Sequence, residues 1–427
     1  MTALARPAHL ARRFLAVAGE AGFAEAAIRA TRHLGRRAAG ELNRARPGAD
    51  LPLGYPLGSA WQELAREGAF HAARRIPGAA PGIVAVAPAS VPQSRRYRVE
   101  ALADLWPGAE VRVFDPAEAC SAAGALQDAT HLVVARSARS EATAMLLYEA
   151  RRLGLPVLYD LDDPLMSLPA CAGHRALAAL PPSERIGALR AAPQVLELMS
   201  AADAVAVSTP ALAAEVARFC PRPVWLRRNF LQCGDLALGA RLAALPRPPG
   251  PVTFALPTGS RGRGPDLAPL LPALEAHLAR APGTRVLVIG PLDLKALPRA
   301  VAAAAEVLPV LPYADYLAAL ARADAVLIPL ADDPFNRCKS AARLLDAAAV
   351  ARPVAASPVG EIDEVLRDGT TGLLAATTAD WAEALATLSD PGRARAMGAA
   401  NRAWAEAQRR PDAPGIADPA LLAWGRT

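Results

Sequence analysis

With 427 residues, 53% apolar and 5% aromatic, the chain has room for two well-cored domains and an extension. Its formal charge of +6 is not a nucleic-acid footprint: nine Arg against four acids in residues 1–50 supply +5 of it, and no aromatic–basic interleaving follows. Five Cys without paired spacing argue against a disulfide framework and a zinc site, and no run of 18 apolar residues or signal-peptide pattern occurs, so the expected location is cytoplasmic, at most peripheral at the inner face of a membrane.

Residues 1–80 read as a basic helical extension and linker. Leu10, Phe14 and Val17 share one helical face, and Phe23, Ala27, Ala30 and Leu34 another. Two readings stand: an amphipathic helix on anionic lipid, or a helix packed on the body of the protein or on a partner. Gly48 to Pro56 is a linker.

From residue 81 to 245 short apolar runs alternate with helical ones. The strands are Ile83–Ala87, Val111–Phe114, His131–Val134, Pro156–Tyr159, Ala204–Val207 and Val224–Leu226. Such alternation means βαβ units and a parallel sheet, with ligands beyond the carboxyl ends of the strands. Three loops at those ends carry polar residues. Ser94-Arg95-Arg96-Tyr97-Arg98 offers guanidinium forks suited to a phosphate or carboxylate, at a helix start where basic residues oppose the dipole. Asp160-Leu161-Asp162-Asp163 puts three carboxylates in four residues, which need a cation, a proton or water. A metal-binding Asp-x-Asp, a phosphatase pair or a helix-capping cluster would each use such residues, but the first two lack the rest of their frameworks. Thr209-Pro210 reads as a helix start.

Arg247-Pro248-Pro249-Gly250-Pro251 is the clearest linker, and residues 246–405 open a second α/β unit with Val252–Leu256. Its first loop, Thr258-Gly259-Ser260-Arg261-Gly262-Arg263-Gly264, combines close backbone approach with cations suited to a diphosphate. Strands follow at Arg285–Gly290, Val307–Val310 and Ala325–Leu330. Then comes Phe335-Asn336-Arg337-Cys338-Lys339-Ser340, a helix through Asp346, and Arg352-Pro353-Val354-Ala355-Ala356-Ser357-Pro358-Val359-Gly360. All but two basic residues are Arg, so Lys339 stands out. Two strand–loop–helix units side by side would align N–H groups and helix starts for an anion. Arg393–Arg409 is a long helix, and residues 406–427 form a tail in which Leu421, Leu422 and Trp424 are placed to pack on the first domain.

Phe-Asn-x-x-Lys-Ser, an acid six places after the Ser, and Pro-Val-x-Ala-Ser-x-Val-Gly together resemble the donor-binding region of retaining, family-4-like GT-B glycosyltransferases of bacterial polysaccharide assembly. The resemblance spans about residues 81–405 and implies two Rossmann-like domains facing across a cleft. It implies transfer of a hexose-type sugar from a nucleotide-sugar donor to a glycan or lipid-linked acceptor, retaining and metal-independent, with no cofactor. By that resemblance Gly259, Ser260, Arg261, Arg263, Asn336, Lys339, Ser340, Asp346, Val359 and Gly360 bind the donor, Asp346 at the ribose. Arg96, Arg98 and Asp160 meet the acceptor. Asp162 and Asp163 fall where a His-Asp pair stands in the family, and Asp162 or Asp163 is expected to orient the acceptor hydroxyl, with Lys339 as the further catalytic residue. One departure is plain: of the family's two glutamates eight apart, the first falls on Cys338 and the second on Asp346. A catalytically silent homologue serving as scaffold or sugar sensor is the alternative. An epimerase of the same fold is disfavoured, because no acid/base His is visible in the loops.

Overall fold

The computed structural model describes residues 11, 14, 15, 18, 19, 22–38, 80–246, 250–259 and 261–426. Two six-stranded sheets form its body, every strand pair in them parallel. The first contains β1 (Gly82–Val86), β2 (Glu110–Phe114), β3 (His131–Ala135), β4 (Val157–Leu161), β5 (Ala204–Val207) and β6 (Val224–Leu226), in the order β2-β1-β3-β4-β5-β6. The second contains β7 (Thr253–Pro257), β8 (Arg285–Ile289), β9 (Ala305–Leu308), β10 (Ala325–Ile328), β11 (Val354–Ala356) and β12 (Gly372–Leu374), in the order β12-β11-β10-β7-β8-β9. Both are Rossmann-like, and together they make the GT-B arrangement. The strands read as near-continuous apolar runs because helices cover both faces of each sheet; β1, β3, β4, β5 and β10 are buried along their whole length.

The sheet order reverses between β1 and β3 in the first domain and between β7 and β10 in the second. Crevices open at such switch points, beyond the carboxyl ends of the strands. The chain crosses back after the helix Pro391–Gln408: Leu231 N–H donates to Arg409, Arg228 N–H to Ile416 and Asp418 N–H to Leu226. The short helix Pro419–Trp424 follows, with Leu421 in the first domain's core beside Trp106 and Phe230. The helix Phe23–Ala38 leaves Phe23, Ile28 and Leu34 exposed, while Ala26 is buried. Leu10 and Val17 lie outside the described residues, and no described helix is long and apolar enough to cross a membrane.

A buried ionic network joins β1's loop, β4 and β6. Asp160 is 0% exposed, Arg98 1% and Arg227 0%. Arg98 Nε donates to Asp160 Oδ1 at 2.5 Å, and Arg227 Nη2 to Oδ2 at 2.8 Å. The guanidinia also reach backbone carbonyls, Arg98 Nη1 that of Arg227 and Arg227 Nη2 that of Arg98, and Arg98 Nη1 reaches the side chain of Asn229. Arg98 and Asp160 were expected at the acceptor; instead they are sealed inside the domain, each spent on the other. The reason is local. Residues 96–100 form a π-helical turn, so three successive side chains diverge and Arg98 points inward. Asp160→Ala should therefore cost about 3–5 kcal/mol, because two buried guanidinia lose their only carboxylate; chemical denaturation of the pure protein measures it.

Candidate functional site

Between the domains lies a cleft of about 710 Å³, lined from the first domain by the loops after β1, β3 and β4, and from the second by those after β7, β8 and β10. Arg95, Arg96, Arg136, Arg263, Lys339 and Arg343 line it, against the carboxylates Glu100, Asp162 and Asp163. The excess is cationic, and on the second-domain side Arg263, Lys339 and Arg343 stand together.

On the first-domain side Arg136 organises the acids. Its Nη1 donates to Asp162 Oδ1 and Asp163 Oδ2, both at 2.6 Å, and Ser94 Oγ donates to Asp162 Oδ2 at 2.5 Å. Lys339 Nζ then crosses the cleft to Asp163 Oδ1 at 3.0 Å. Burial opposes ionisation of Asp163, but Lys339 and Arg136 outweigh it and hold the carboxyl well below the usual range. Neither Asp caps a helix; the next one is capped by Ser167. Further cross-domain bonds run from Asn229 Nδ2 to Ser340 Oγ at 2.8 Å and from Thr209 Oγ1 to the carbonyl of Cys338 at 2.9 Å.

Opposite the acids, Arg343 Nη2 donates to the carbonyl of Thr258 at 3.1 Å. Burial and the neighbouring Arg263 push its pKa down to about 10. Burial also lowers that of Lys339, against the pull of Asp163. Arg263 donates to Asp266 through Nη1, while its Nε is enclosed with no hydrogen-bond partner. Gly259, at φ +70°, passes so close to Arg343 that a Cβ would sit 3.3 Å from Nη2. His174 stacks on Phe335 with ring centroids 4.1 Å apart. Burial and the Lys339 charge push its pKa down to about 4, so the imidazole is neutral.

Of the residues singled out in the sequence, Arg96, Asp162, Asp163, Gly259, Arg263, Lys339 and Ser340 line this cleft. The others do not. Arg261 is 74% exposed, with its guanidinium 3.8 Å from Glu184; Arg343 supplies the cation expected of it. Ser260 lies outside the described residues. Asn336 is buried and donates to Ala331 and Asp266, bracing the loop. Val359 N–H donates to Ser357, and Glu361 N–H to the carbonyl of Lys339, so the Val359-Gly360 turn serves the Lys339 loop. A Cβ at Gly360 would meet the carbonyls of Lys339 and Asn336 within 2.8 Å, which explains the glycine without a ligand. The start of the helix Ala342–Ala349 is occupied too: Ala341 N–H donates to Glu361 Oε2 at 2.9 Å. Glu361 is buried, and Arg409 and Arg228 hold its other oxygen.

Asp346 is enclosed behind the cleft wall. Tyr97 Oη donates to its Oδ1 at 2.6 Å from the first domain, and Tyr313 Oη to the same oxygen at 2.9 Å. Burial pushes the Asp346 carboxyl up to about 6, despite the stabilising tyrosine hydrogen bonds. Cys338 faces the first domain's apolar core, and burial pushes its thiol up to about 12. Sequence reasoning missed Arg136, His174, Tyr97, Tyr313 and Arg343 as cleft residues. Tyr97 fell within a quoted motif and Arg343 within the helix that follows Ser340; a lone Arg136 or His174 carries no local signal.

A search of curated protein sequences finds no match. Among solved structures, a sucrose-phosphate synthase from Thermosynechococcus elongatus is similar at 16% identity, with 76% of this chain and 94% of that one covered and a TM-score of 0.49. The HepE protein of Anabaena, in complex with UDP and glucose, aligns at 14% identity over 76% of this chain and 94% of its own, with a TM-score of 0.47. A UDP-N-acetylglucosamine 2-epimerase-like protein from Listeria monocytogenes aligns at 12% identity over 77% and 94%, with a TM-score of 0.47. Residues 270–413, which include Tyr313, Lys339, Ser340, Arg343 and Asp346, match the family model of glycosyl transferase-like domains.

Proposed function

We propose that this chain transfers a sugar from a nucleoside-diphosphate donor to a glycan or lipid-linked acceptor, with retention of configuration and without a metal. The observation that carries the reading is the trio Lys339, Arg263 and Arg343 at the carboxyl ends of β7 and β10, where burial first and the neighbouring cations second depress Arg343 and Lys339. Cations that destabilise one another gain most when an anion arrives. A diphosphate fits that requirement, and Gly259 leaves room for it beside Arg343.

In this reading the trio holds the donor diphosphate and stabilises the charge that grows on it as the glycosidic bond breaks; each well-placed donor contributes about 3–4 kcal/mol. Asp163 is too well paired to act as a base, since a carboxylate so stabilised in its ionised form accepts a proton poorly. It holds Lys339 in place instead, and the acceptor's proton passes to an oxygen of the departing diphosphate. Asp162, shared by Ser94 and Arg136, keeps lone pairs for an acceptor hydroxyl. Arg136, which holds Asp162, is the cation nearest that hydroxyl, and Arg95 lines the same first-domain rim. A uridine nucleotide, the ligand of the HepE structure, is the first donor to test. The silent-homologue reading is kept by one observation, the enclosure of Asp346 behind two tyrosines. His174 removes the objection to an epimerase, and product analysis separates the two: transfer consumes acceptor, whereas epimerisation alters the donor alone.

Calorimetry against UDP, GDP and CDP tests the site. Lys339→Ala and Arg343→Ala should each weaken the diphosphate that binds more than tenfold, and Arg261→Ala should leave it within about twofold. Equal affinities for wild type and Lys339→Ala would remove the assignment. A second test uses the neutral His174. Its depressed pKa reflects burial and Lys339; a bound diphosphate offsets the cations, so the pKa of about 4 should rise on nucleotide binding, followed by imidazole NMR titration.

A further inference from the structure

The carboxylate placed at the ribose by its position in the motif does not reach the cleft. Asp346 is 1% exposed and does not line the cleft; the tyrosines in front of it do, Tyr313 half-buried and Tyr97 and Tyr316 with 4% exposure. Both Tyr97 and Tyr313 spend their single O–H on Asp346 Oδ1. Each hydroxyl oxygen is thereby left as an acceptor only. A hydroxyl that donates to a carboxylate is also a better acceptor, because the bond polarises it.

The two oxygens are held firmly. The Arg96 guanidinium lies 3.9 Å over the centroid of the Tyr313 ring and is itself paired with Asp235. The rings of Tyr97 and Tyr313 meet edge to face at 6.5 Å. The π-helical turn that buries Arg98 fixes Tyr97 in the opposite direction. The lining beyond Tyr313 is apolar, from Val310 and Leu311 to Ile289 and Gly290, and suits a flat base. From there the wall passes to Lys339, Arg263 and Arg343.

A ligand spanning these parts has a base, then a group rich in O–H donors, then phosphates. Resting on the donor-site reading above, we infer that Tyr97 and Tyr313 read the ribose diol of the donor nucleotide, accepting hydrogen bonds from its two hydroxyls, and that Asp346 is a positioning residue that acts through them. The first domain thus contributes a contact to the nucleotide, and the diol is read only when the domains are together.

The experiment is a cycle between protein hydroxyls and ligand hydroxyls. Whichever of UDP, GDP and CDP binds in a Lys339-dependent way is compared with its 2′,3′-dideoxy form by calorimetry. The proteins are wild type, Tyr97→Phe, Tyr313→Phe and the double variant. Wild type should prefer the ribonucleotide at least tenfold. Each single variant should cut that preference about three- to tenfold, and the double variant should bring it near unity. The dideoxy nucleotide, which has no diol to present, should bind all four proteins within about twofold. This constancy also reports that the variants are folded. Asp346→Asn should lower the preference likewise, without weakening the dideoxy ligand. A preference unchanged in the double variant overturns the inference, as does a parallel loss for both ligands. Tighter ribonucleotide binding by Tyr97→Phe overturns it too, since the hydroxyl would then be blocking Asp346. Failure of all three nucleotides to bind wild type sinks the donor-site reading itself, an outcome distinct from these.

Discussion

One carboxylate between two buried guanidinia fixes the register of the cleft. Asp160 ends β4 with both oxygens taken, by Arg98 from the loop after β1 and by Arg227 after β6. Burying three charges does little for net stability, since desolvation offsets most of the attraction. What the arrangement secures is direction. With Arg98 pinned inward, the π-helical turn must send Arg96 and Tyr97 towards the second domain. Arg98 Nη1 also donates to Asn229 Oδ1, which leaves the Asn229 amide to donate to Ser340. A chain of directed bonds therefore runs from the middle of the first sheet to the Lys339 loop of the second.

The same economy of partners explains the sign of each wall. First-domain acids are matched by Arg136 at the floor of the cleft, and Lys339 completes the match from the other side. Arg263 has one carboxylate, Asp266, and Arg343 only a backbone carbonyl. In a partly desolvated crevice like charges repel far more than in water. In the proposed donor site, an anion would offset the like charges of the second-domain wall. Lys339 is the hinge of this balance: its nitrogen can remain on Asp163 while a phosphate oxygen takes another of its three protons.

Much of the fold was legible because parallel strands buried on both faces read as short β-branched or Ala-rich runs between helices. β9 alone slid, to Ala305–Leu308: Pro309 has no N–H for the ladder and stops the strand, while the Ala-rich run before it gives no sign of where it begins. The helices Pro182–Ala201 and Cys233–Ala244 were not foreseen; neither shows a strong apolar stripe. In the site, residue type was legible and orientation was not. Arg261 and Arg343 are equally basic, yet one faces solvent beside Glu184 and the other the cleft. Gly360 and Asn336 belong to a motif whose wording suggests a ligand, but the backbone of Gly360 and the side-chain amide of Asn336 brace the Lys339 loop. A sequence motif records which residues a geometry requires, and a brace is required as strictly as a contact.

Cys338 and Asp346 looked in the sequence like two losses from one pair of glutamates. The structure separates them. Cys338 packs on the first domain's apolar core, where a longer carboxylate would be buried near Glu215 and Asp163, so an acid there would repel its neighbours rather than reach the cleft. Asp346 keeps its charge-bearing group but sits one methylene further back than a Glu would, and the space in front of it holds two tyrosine oxygens. A shortened carboxylate with hydroxyls in front still offers acceptors along the same line, now split between the two domains. The shortening and the tyrosines form a single structural unit, and a Glu at 346 would have to displace at least one of the hydroxyls that Asp accommodates.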